Sequence, residues 1–388
     1  MNFHIPKLFS RTPRVPEQKA SRAQALFALF ADARPRWSPK NVSDFAREGY
    51  ANNPVAYRCV RTIAEAVAAL PLVLYDGLRE LDRHPLADLL ARPNPRETHA
   101  DFFEAVAGHL LVAGNAYVEL VALAGKPREL YALRPDRMKV VPGREGWPDA
   151  YEYSVAGRSV RFDMNEALPP ILHIKLFNPA DDHYGLSPLA AAHRALDIHN
   201  AASGWNKALL DNAARPSGAL VYSAAAGNLS HDQFERLKSE LESNFQGAAN
   251  AGRPLLLEGG LDWKSLSMSP KDMDFIEAKH SAAREIALAF GVPPMLLGIP
   301  GDNTFSNYAE ANRSFYRGTV LPLASRLLAA FADWLSPAYG GELRLEPDLD
   351  QVQALASERE SLWRRVNEAG FLTDDEKRAA VGYGPKPA

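Results

Sequence analysis

The stretch Ser269–Pro322, SPKDMDFIEAKHSAAREIALAFGVPPMLLGIPGDNTFSNYAEANRSFYRGTVLP, restricts what this chain can fold into more than any other. Ser269 can cap a helix, Pro270 suits a first helical position where its missing N–H has no partner to lose, and Asp272 sits in the positively polarised first turn. Met273, Ile276, His280, Ala283, Ala287 and Phe290 then recur at three- and four-residue spacing, one stripe of a single helix. Gly291 is placed to close that helix in a left-handed conformation, and Pro293-Pro294 forbid its continuation. Gly298, Pro300, Gly301, Asp302 and Asn303 make a polar loop of turn formers. A second helix is expected from near Asn307, with Glu310 completing a capping box, to about Leu335. At about 1.5 Å per residue it is on the order of 40 Å long, and Pro322 inside it predicts a kink. Two long helices joined by an exposed loop make a lever with a finger at its tip.

The 388 residues suffice for two or three domains. No apolar run reaches the ~18 residues a membrane span needs. The first 40 residues are basic and proline-bearing, and Leu26–Phe30 is too short for a secretory apolar core, so a mobile arm is expected there. The single cysteine, Cys59, excludes an internal disulfide and reads as a small core residue. With a net charge of −3, the chain lacks the basic footprint that tight duplex binding requires, so any DNA it meets is met weakly.

Before the lever the pattern is α+β. Asn53-Pro54 opens a helix with Val55, Cys59, Ile63, Val67 and Leu70 on one face, followed by a strand over Pro71–Tyr75. Helices over His84–Ala91 and from Thr98 to Gly114-Asn115 precede short strands at Ala116–Ala122, Leu130–Leu133, Met138–Val141, Tyr151–Val155, Ser159–Phe162 and Ile171–Lys175, which predict helices packed on antiparallel sheet. Ser187-Pro188 starts a long helix to about Ala213, whose face of Leu189, Ala192, Leu196, His199, Ser203, Asn206 and Leu210 is only partly apolar. Trp205 and Leu209 fall on another side and need a neighbouring copy to cover them. A small β-α-β-β unit follows, with strands at Gly218–Tyr222, Leu255–Glu258 and Trp263–Ser267 around a helix capped by Ser230. The C-terminal region reads as a strand at Glu342–Glu346, a helix from about Leu349 to Ala369, and a last short helix with a Thr373/Glu376 capping box.

No catalytic grammar accompanies this organisation. There is no GxxxxGK[ST], no HExxH and no GxSxG elbow. His193, Asp197 and His199 cannot share one metal ion, because His199 lies off the face of the other two. Asp181-Asp182-His183 reads as a turn with solvated charges, and Trp205, Trp263, Phe305, Tyr308, Phe315 and Tyr316 lack the interleaved cations of a base-stacking platform. No enzyme activity, cofactor or metal is therefore expected.

The segments NPVAYRCVRTIAEAVAALPLVLY, GNAYVEL (Gly114–Leu120), LRPDRMKVV (Leu133–Val141), GLSPL (Gly185–Leu189), RPSGALVYS (Arg215–Ser223), NAGRPLLLEGGLDWKSLSMSP (Asn250–Pro270), FGVPPMLLG with its DNTFSN loop, and AGFLTDDEKRAAVGYGP (Ala369–Pro385) occur in one order. Together they resemble the portal proteins of tailed phages of the Hong Kong 97 type, a group that includes the portals of gene transfer agents. The resemblance covers nearly the whole chain beyond about residue 40. It implies a homo-oligomeric ring, in this family a dodecamer, at one capsid vertex of a virion or phage-like particle assembled in the host cytoplasm. Double-stranded DNA passes through the ring, and the terminase large subunit, head–tail adaptor and major capsid protein are its partners, with no membrane.

Carried over by segment, the resemblance implies a flexible arm (1–40), an α/β wing (41–186), a first stem helix (187–213), a β-α-β clip (214–268) and a second stem helix (269–291). A tunnel loop (292–307), a kinked tunnel helix (308–336) and a short helical crown with the C-terminal tail (337–388) complete it. Pro300, Gly301, Asp302, Asn303, Thr304, Phe305, Ser306 and Asn307 would then face the DNA channel, a loop with Asp302 and no cation of its own. Trp205, Leu209, Arg313 and Arg317 are expected at subunit contacts, the two arginines facing acids of a neighbour, and the long helices are expected to lean on copies of themselves. Two rival readings are a monomeric scaffold or adaptor module, which needs no hole, and an uncharacterised cytoplasmic enzyme, which needs convergent titratable groups.

Overall fold

Asn53 opens the first long helix by a side chain that serves two backbone amides: its Oδ1 accepts from Val55 N and Ala56 N, both at 3.1 Å, and Pro54 follows at the first helical position. The computed structural model describes residues 45–144, 146–211, 218–222, 236, 261–265, 275–300 and 305–384. A π-helical turn, Phe45–Ala51, precedes helix α1 (Pro54–Ala68), which leads to the antiparallel pair β1 (Leu72–Asp76) and β2 (Arg79–Glu80). Helices α2 (Pro85–Ala91) and α3 (His99–Ala113) follow; α3 starts at a reciprocal Thr98/Asp101 capping box and ends at left-handed Gly114.

Strand β3 (Asn115–Leu123) lies between β4 (Lys126–Leu133) and β8 (Ile171–Lys175), while β5 (Met138–Pro142), β6 (Pro148–Val155) and β7 (Arg158–Asp163) form a separate three-stranded sheet; all pairings are antiparallel. Helix α4 (Pro188–Ala191), capped by Ser187, breaks at Ala192 before α5 (His193–Asp211), so the expected single helix from Ser187 comes in two pieces. Strands β9 (Gly218–Tyr222) and β10 (Leu261–Ser265) pair with each other, the latter two residues earlier than expected. Helix α6 (Phe275–Phe290) leads through a 3₁₀ turn, Pro294–Leu297, to α7 (Phe305–Phe315), a π-helical turn Tyr316–Val320, and α8 (Leu321–Tyr339). After β11 (Leu343–Pro347) come two 3₁₀ turns, then α9 (Ala356–Glu368) and α10 (Asp374–Ala380), the last opened by the Thr373/Glu376 capping box.

One apolar core unites these pieces. It joins Ile63 and Val67 of α1, Phe102, Val106 and Leu110 of α3, Leu189 and Leu196 of the α4–α5 pair, Ile286 and Phe290 of α6, and Leu327, Phe331 and Leu335 of α8. The rings of Phe102, Phe103 and Phe331 meet at its centre, 5.4–5.8 Å apart. A second cluster, Tyr117, Met138, Val140, Tyr151, Ile171 and Tyr184, fills the space between the two β3- and β6-centred sheets.

Two expectations about the helix after the loop are corrected. The tunnel helix was expected to lean on copies, yet α8 is among the most enclosed elements: its Leu327–Phe331–Leu335 stripe packs inside its own chain, and Trp334 Nε1 donates to Pro169 O at 2.8 Å. It also runs on to Tyr339 with Pro337 in its last turn, beyond the expected end at Leu335. Beyond α8, β11 hydrogen-bonds along the whole of β1, from Leu72↔Pro347 to Asp76↔Leu343, which ties the C-terminal segment to the N-terminal body. Expectations for residues 1–40, the Ser230-capped helix, the Leu255–Glu258 strand and the Ser269 cap lie outside the described residues.

Candidate functional site

The lever is rooted where α6 ends. Gly291 takes φ +67°, Val292 N donates back to Ala287 O at 2.9 Å, and Val292 is buried. The chain then turns back on the helix rather than leaving it: after the 3₁₀ turn, Ile299 packs on Ala283 and Ala287. Residues 292–299, expected to belong to a free loop, are thus part of the mount, because two prolines and an apolar isoleucine favour contact over solvent. Pro300 is exposed and its carbonyl accepts from Arg284 Nη2 of α6. Glu277, His280, Ser281, Arg284 and Pro300 line an open groove beside it. The loop itself carries no cation, but Arg284 supplies one at its base, and sequence spacing alone did not bring that residue to the loop.

Gly301, Asp302, Asn303 and Thr304 lie outside the described residues. Phe305 and Ser306 already belong to α7, which starts two residues before the expected Asn307; Asn307 and Tyr308 are exposed. Beyond them the helix sinks into the protein, with Phe315 and Val320 buried and the Phe315 and Tyr316 rings edge-on at 5.8 Å. Just before Pro322, where a kink was expected, the helix winds through the π turn, and Thr319 Oγ1 donates to Gly291 O at the end of α6 at 2.6 Å.

Helices α5 and α6 pack side by side, and Ala195, Leu196, His199 and Ala202 of α5 and Ala282 and Ile286 of α6 are buried, while Ala283 and Ala287 of α6 are covered by Ile299. The seam is closed within one chain. Ile276, placed on the buried stripe by its spacing, is instead 65% exposed, and Ile198 and Leu288 on the outer faces are 50% and 78% exposed. Trp205 is half-buried, and the Leu209 side chain lies outside the described residues. Arg313 and Arg317 find an acid in their own chain: Glu358 Oε1 on α9 lies 3.7 Å from Arg313 Nε and 3.2 Å from Arg317 Nη1.

Two polar joints hold the α5–α6 arm to the body. At the first, the buried Asn53 that caps α1 donates from Nδ2 to His199 Nδ1 at 3.2 Å and to Asn200 Oδ1 at 2.9 Å. His199 Nδ1 must therefore accept, which requires a neutral ring protonated at Nε2; burial first, and then Lys279, lowers its pKa accordingly. At the second, Asn115 Oδ1 accepts from Gly185 N at 2.8 Å and from His173 Nε2 at 3.0 Å, while its Nδ2 donates to Ala113 O. Tyr151 Oη lies 3.2 Å from His173 Nδ1, and burial lowers the His173 pKa to about 3. Gly114 and Gly185 cross so closely that a Cβ on Gly185 would stand 2.7 Å from Leu176 N. The GNAYVEL and GLSPL motifs are therefore the two halves of one backbone crossing.

The groups considered for chemistry do not converge. His193 Nδ1 bonds Ala190 O while His199 serves Asn53, and Asp181 Oδ1 accepts from the amides of His183 and Tyr184 in a turn. Cys59 is buried and its thiol pKa is pushed up to about 12 by desolvation, which keeps it unreactive. Among the described residues no three His, Cys, Asp or Glu side chains come together to hold a metal ion, and no helix is long and apolar enough to cross a membrane.

Comparison with known proteins agrees with this architecture. A family described as "Phage portal protein" matches residues 54–382. The portal protein of Enterobacteria phage HK97 is 28% identical over 346 residues, covering 85% of this chain and 78% of that protein. Among solved structures, the neck of an empty gene transfer agent particle computed with C6 symmetry contains a chain 57% identical, with a TM-score of 0.76, covering 94% of this chain and 100% of that one. A chain from the neck of a native particle computed with C12 symmetry is 55% identical at a TM-score of 0.73, with the same coverage.

Proposed function

Because this chain belongs to the phage portal protein family, we propose that copies of it close into a ring, a dodecamer, at the portal vertex of a phage-like particle of the gene transfer agent kind. Double-stranded DNA passes through its axial channel during packaging and release. The observation that carries this reading is the match along nearly the whole chain to chains in the necks of gene transfer agent particles, computed with C6 and C12 symmetry. The α5–α6 arm supports it: each helix closes one face inside the chain and leaves Ile198, Ile276 and Leu288 uncovered outside, as a heterologous contact repeated around a ring requires. Trp205, Leu209 and the outer faces of α5 and α6 form the subunit contact. Arg313 and Arg317 join it with what reach Glu358 leaves them, since the Arg317 side chain is still 62% exposed.

The loop Pro300–Asn307 points into the channel. Its one charged side chain, Asp302, repels phosphate, while Arg284 at its base adds one positive charge, short of the several that tight duplex binding needs, so DNA is met weakly. Residues 214–268 present the docking surface for the packaging terminase and then for the head–tail adaptor, and the wing faces the capsid protein. The chain does no covalent chemistry. Electron microscopy of the purified full chain tests the ring: closed rings with cyclic symmetry and an axial hole are expected. A monodisperse single-chain particle by mass photometry, at every concentration tried, would overturn the proposal in favour of an adaptor module.

A further inference from the structure

The helix after the loop changes its winding once, at Tyr316–Val320, and this turn is fastened on two sides. Toward α6, Thr319 Oγ1 donates to Gly291 O. Toward the C-terminal part of the chain, Arg317 Nη1 reaches Glu358 Oε1 of α9 at 3.2 Å. Arg313, on α7, donates to Glu310 Oε2 at 2.8 Å and also faces α9, with Nη2 3.4 Å from Ser357 Oγ and Nε 3.7 Å from Glu358 Oε1. One carboxylate therefore lies within ion-pair distance of arginines in both windings, hydrogen-bonded to Arg317 in the π turn and 3.7 Å from Arg313 in the α-helix.

The cause of the wide turn is local. Pro322 has no N–H to give, and its ring crowds the carbonyl four residues back, that of Gly318; an i→i+5 turn immediately before it relieves the crowding. Such a turn holds one residue more than an α-helix. Passing it along the helix toward Phe305 shifts every residue it passes by about 1.5 Å and about 100°. If it moved past Arg313, both arginines would rotate off Glu358.

We infer that Glu358 is a register clamp: α9 holds the π turn at Tyr316–Val320 and so sets the rotation of α7, the helix that starts directly after the loop. The clamp is made of contacts within one chain and stands without the ring; only its consequence for a channel rests on the portal reading. It gives the C-terminal helix a mechanical line to the loop, through an element with two discrete windings.

Amide hydrogen exchange followed by mass spectrometry on the full chain tests it. Glu358→Gln should speed exchange over residues 305–320 about fivefold, the size expected for losing two partly exposed ion pairs. Exchange over 99–113 and 321–335 should stay at the wild-type rate. Pro322→Ala restores the missing donor and lets the α-helical ladder close, so exchange over 316–320 should slow, and adding Glu358→Gln to it should change nothing further. Unaltered exchange over 305–320 in Glu358→Gln, an equal rise in 321–335, or undiminished sensitivity in the Pro322→Ala background would each overturn the clamp. A chain that shows the expected pattern yet never forms rings would keep the clamp and remove the portal function instead.

Discussion

Helices α3 and α6 are nearly the same length, 15 and 16 residues, and they solve opposite problems. Helix α3 buries Phe102, Phe103, Val106, Ala107, Leu110 and Leu111 along its whole run, between α1, α8 and the β3 sheet. Helix α6 buries only its second half, Ala282, Ala283, Ile286, Ala287 and Phe290, mostly small residues, and leaves Ile276 and Leu288 outside. Large apolar side chains stay exposed on both, Trp147 and Phe177 on the body as well as Ile276 and Leu288 on the arm, but only the body has a core running the length of its helices. Since burial is worth about 25 cal/mol per Å² of apolar area, the body should carry most of the folding stability, and the arm is where the proposed subunit contact can be tested with least disturbance of the core.

The comparison breaks first if the joint between body and arm proves dispensable. Gly185→Val would force a side chain into the crossing with Gly114 and Leu176, where neither backbone can retreat, and should cost more than about 4 kcal/mol, the range of severe core disruption. Soluble yield and the denaturant midpoint report this. Asn115→Ala leaves Gly185 N and the buried His173 Nε2 without an acceptor and should cost about 3 kcal/mol by the same measurement.

Acid sharpens the same contrast. His173 and His109 in the body are held neutral by burial, with pKa values lowered to about 3 and about 4. Their unfolded value is about 6.5, so between that pH and about 4 the unfolded chain binds more protons than the native one, and stability falls as pH falls. The expected slope is about 1.4 kcal/mol per pH unit for each group. His173→Gln, which preserves a hydrogen-bonding side chain but cannot titrate, should flatten it in denaturant melts taken from pH 7 to pH 4. His199 titrates in the same direction at the arm joint, so acid should also loosen the arm from Asn53.

What could be read ahead of the structure was what is local. Asn53-Pro54, Thr98/Asp101, Ser187-Pro188, Gly114, Gly291 and the Thr373/Glu376 box act through backbone groups a few residues away, and each marks the helix end it was expected to mark. The pairing of β1 with β11 was not legible, because both are short apolar strands with nothing in either to name its partner. Nor was the enclosure of α8: a stripe of Leu327, Phe331 and Leu335 looks the same whether a neighbouring copy or the same chain covers it. Of the loop, the polar composition was plain, but the fold-back of Ile299 and the arrival of Arg284 depend on packing across α6. The partners of Arg313 and Arg317 were sought in a second subunit; Glu358 meets them from 41 residues beyond Arg317, a separation that periodicity cannot read.

The smallest expected effect on folding is the most telling for the arm. Leu288 is 78% exposed on the outer side of α6, so Leu288→Asp removes no core contact and should shift the denaturant midpoint of the isolated chain by no more than about 0.5 kcal/mol equivalent. At a subunit contact the same carboxylate would have to lose its water against an apolar neighbour, a cost of roughly 2 kcal/mol or more for each copy. Around a ring that cost is met at every contact, so assembly should fail while folding does not. Mass photometry beside the melts separates the two outcomes. A variant that folds normally and still forms rings would place the subunit contact on another surface, and α6 would then be an ordinary helix with one spare leucine.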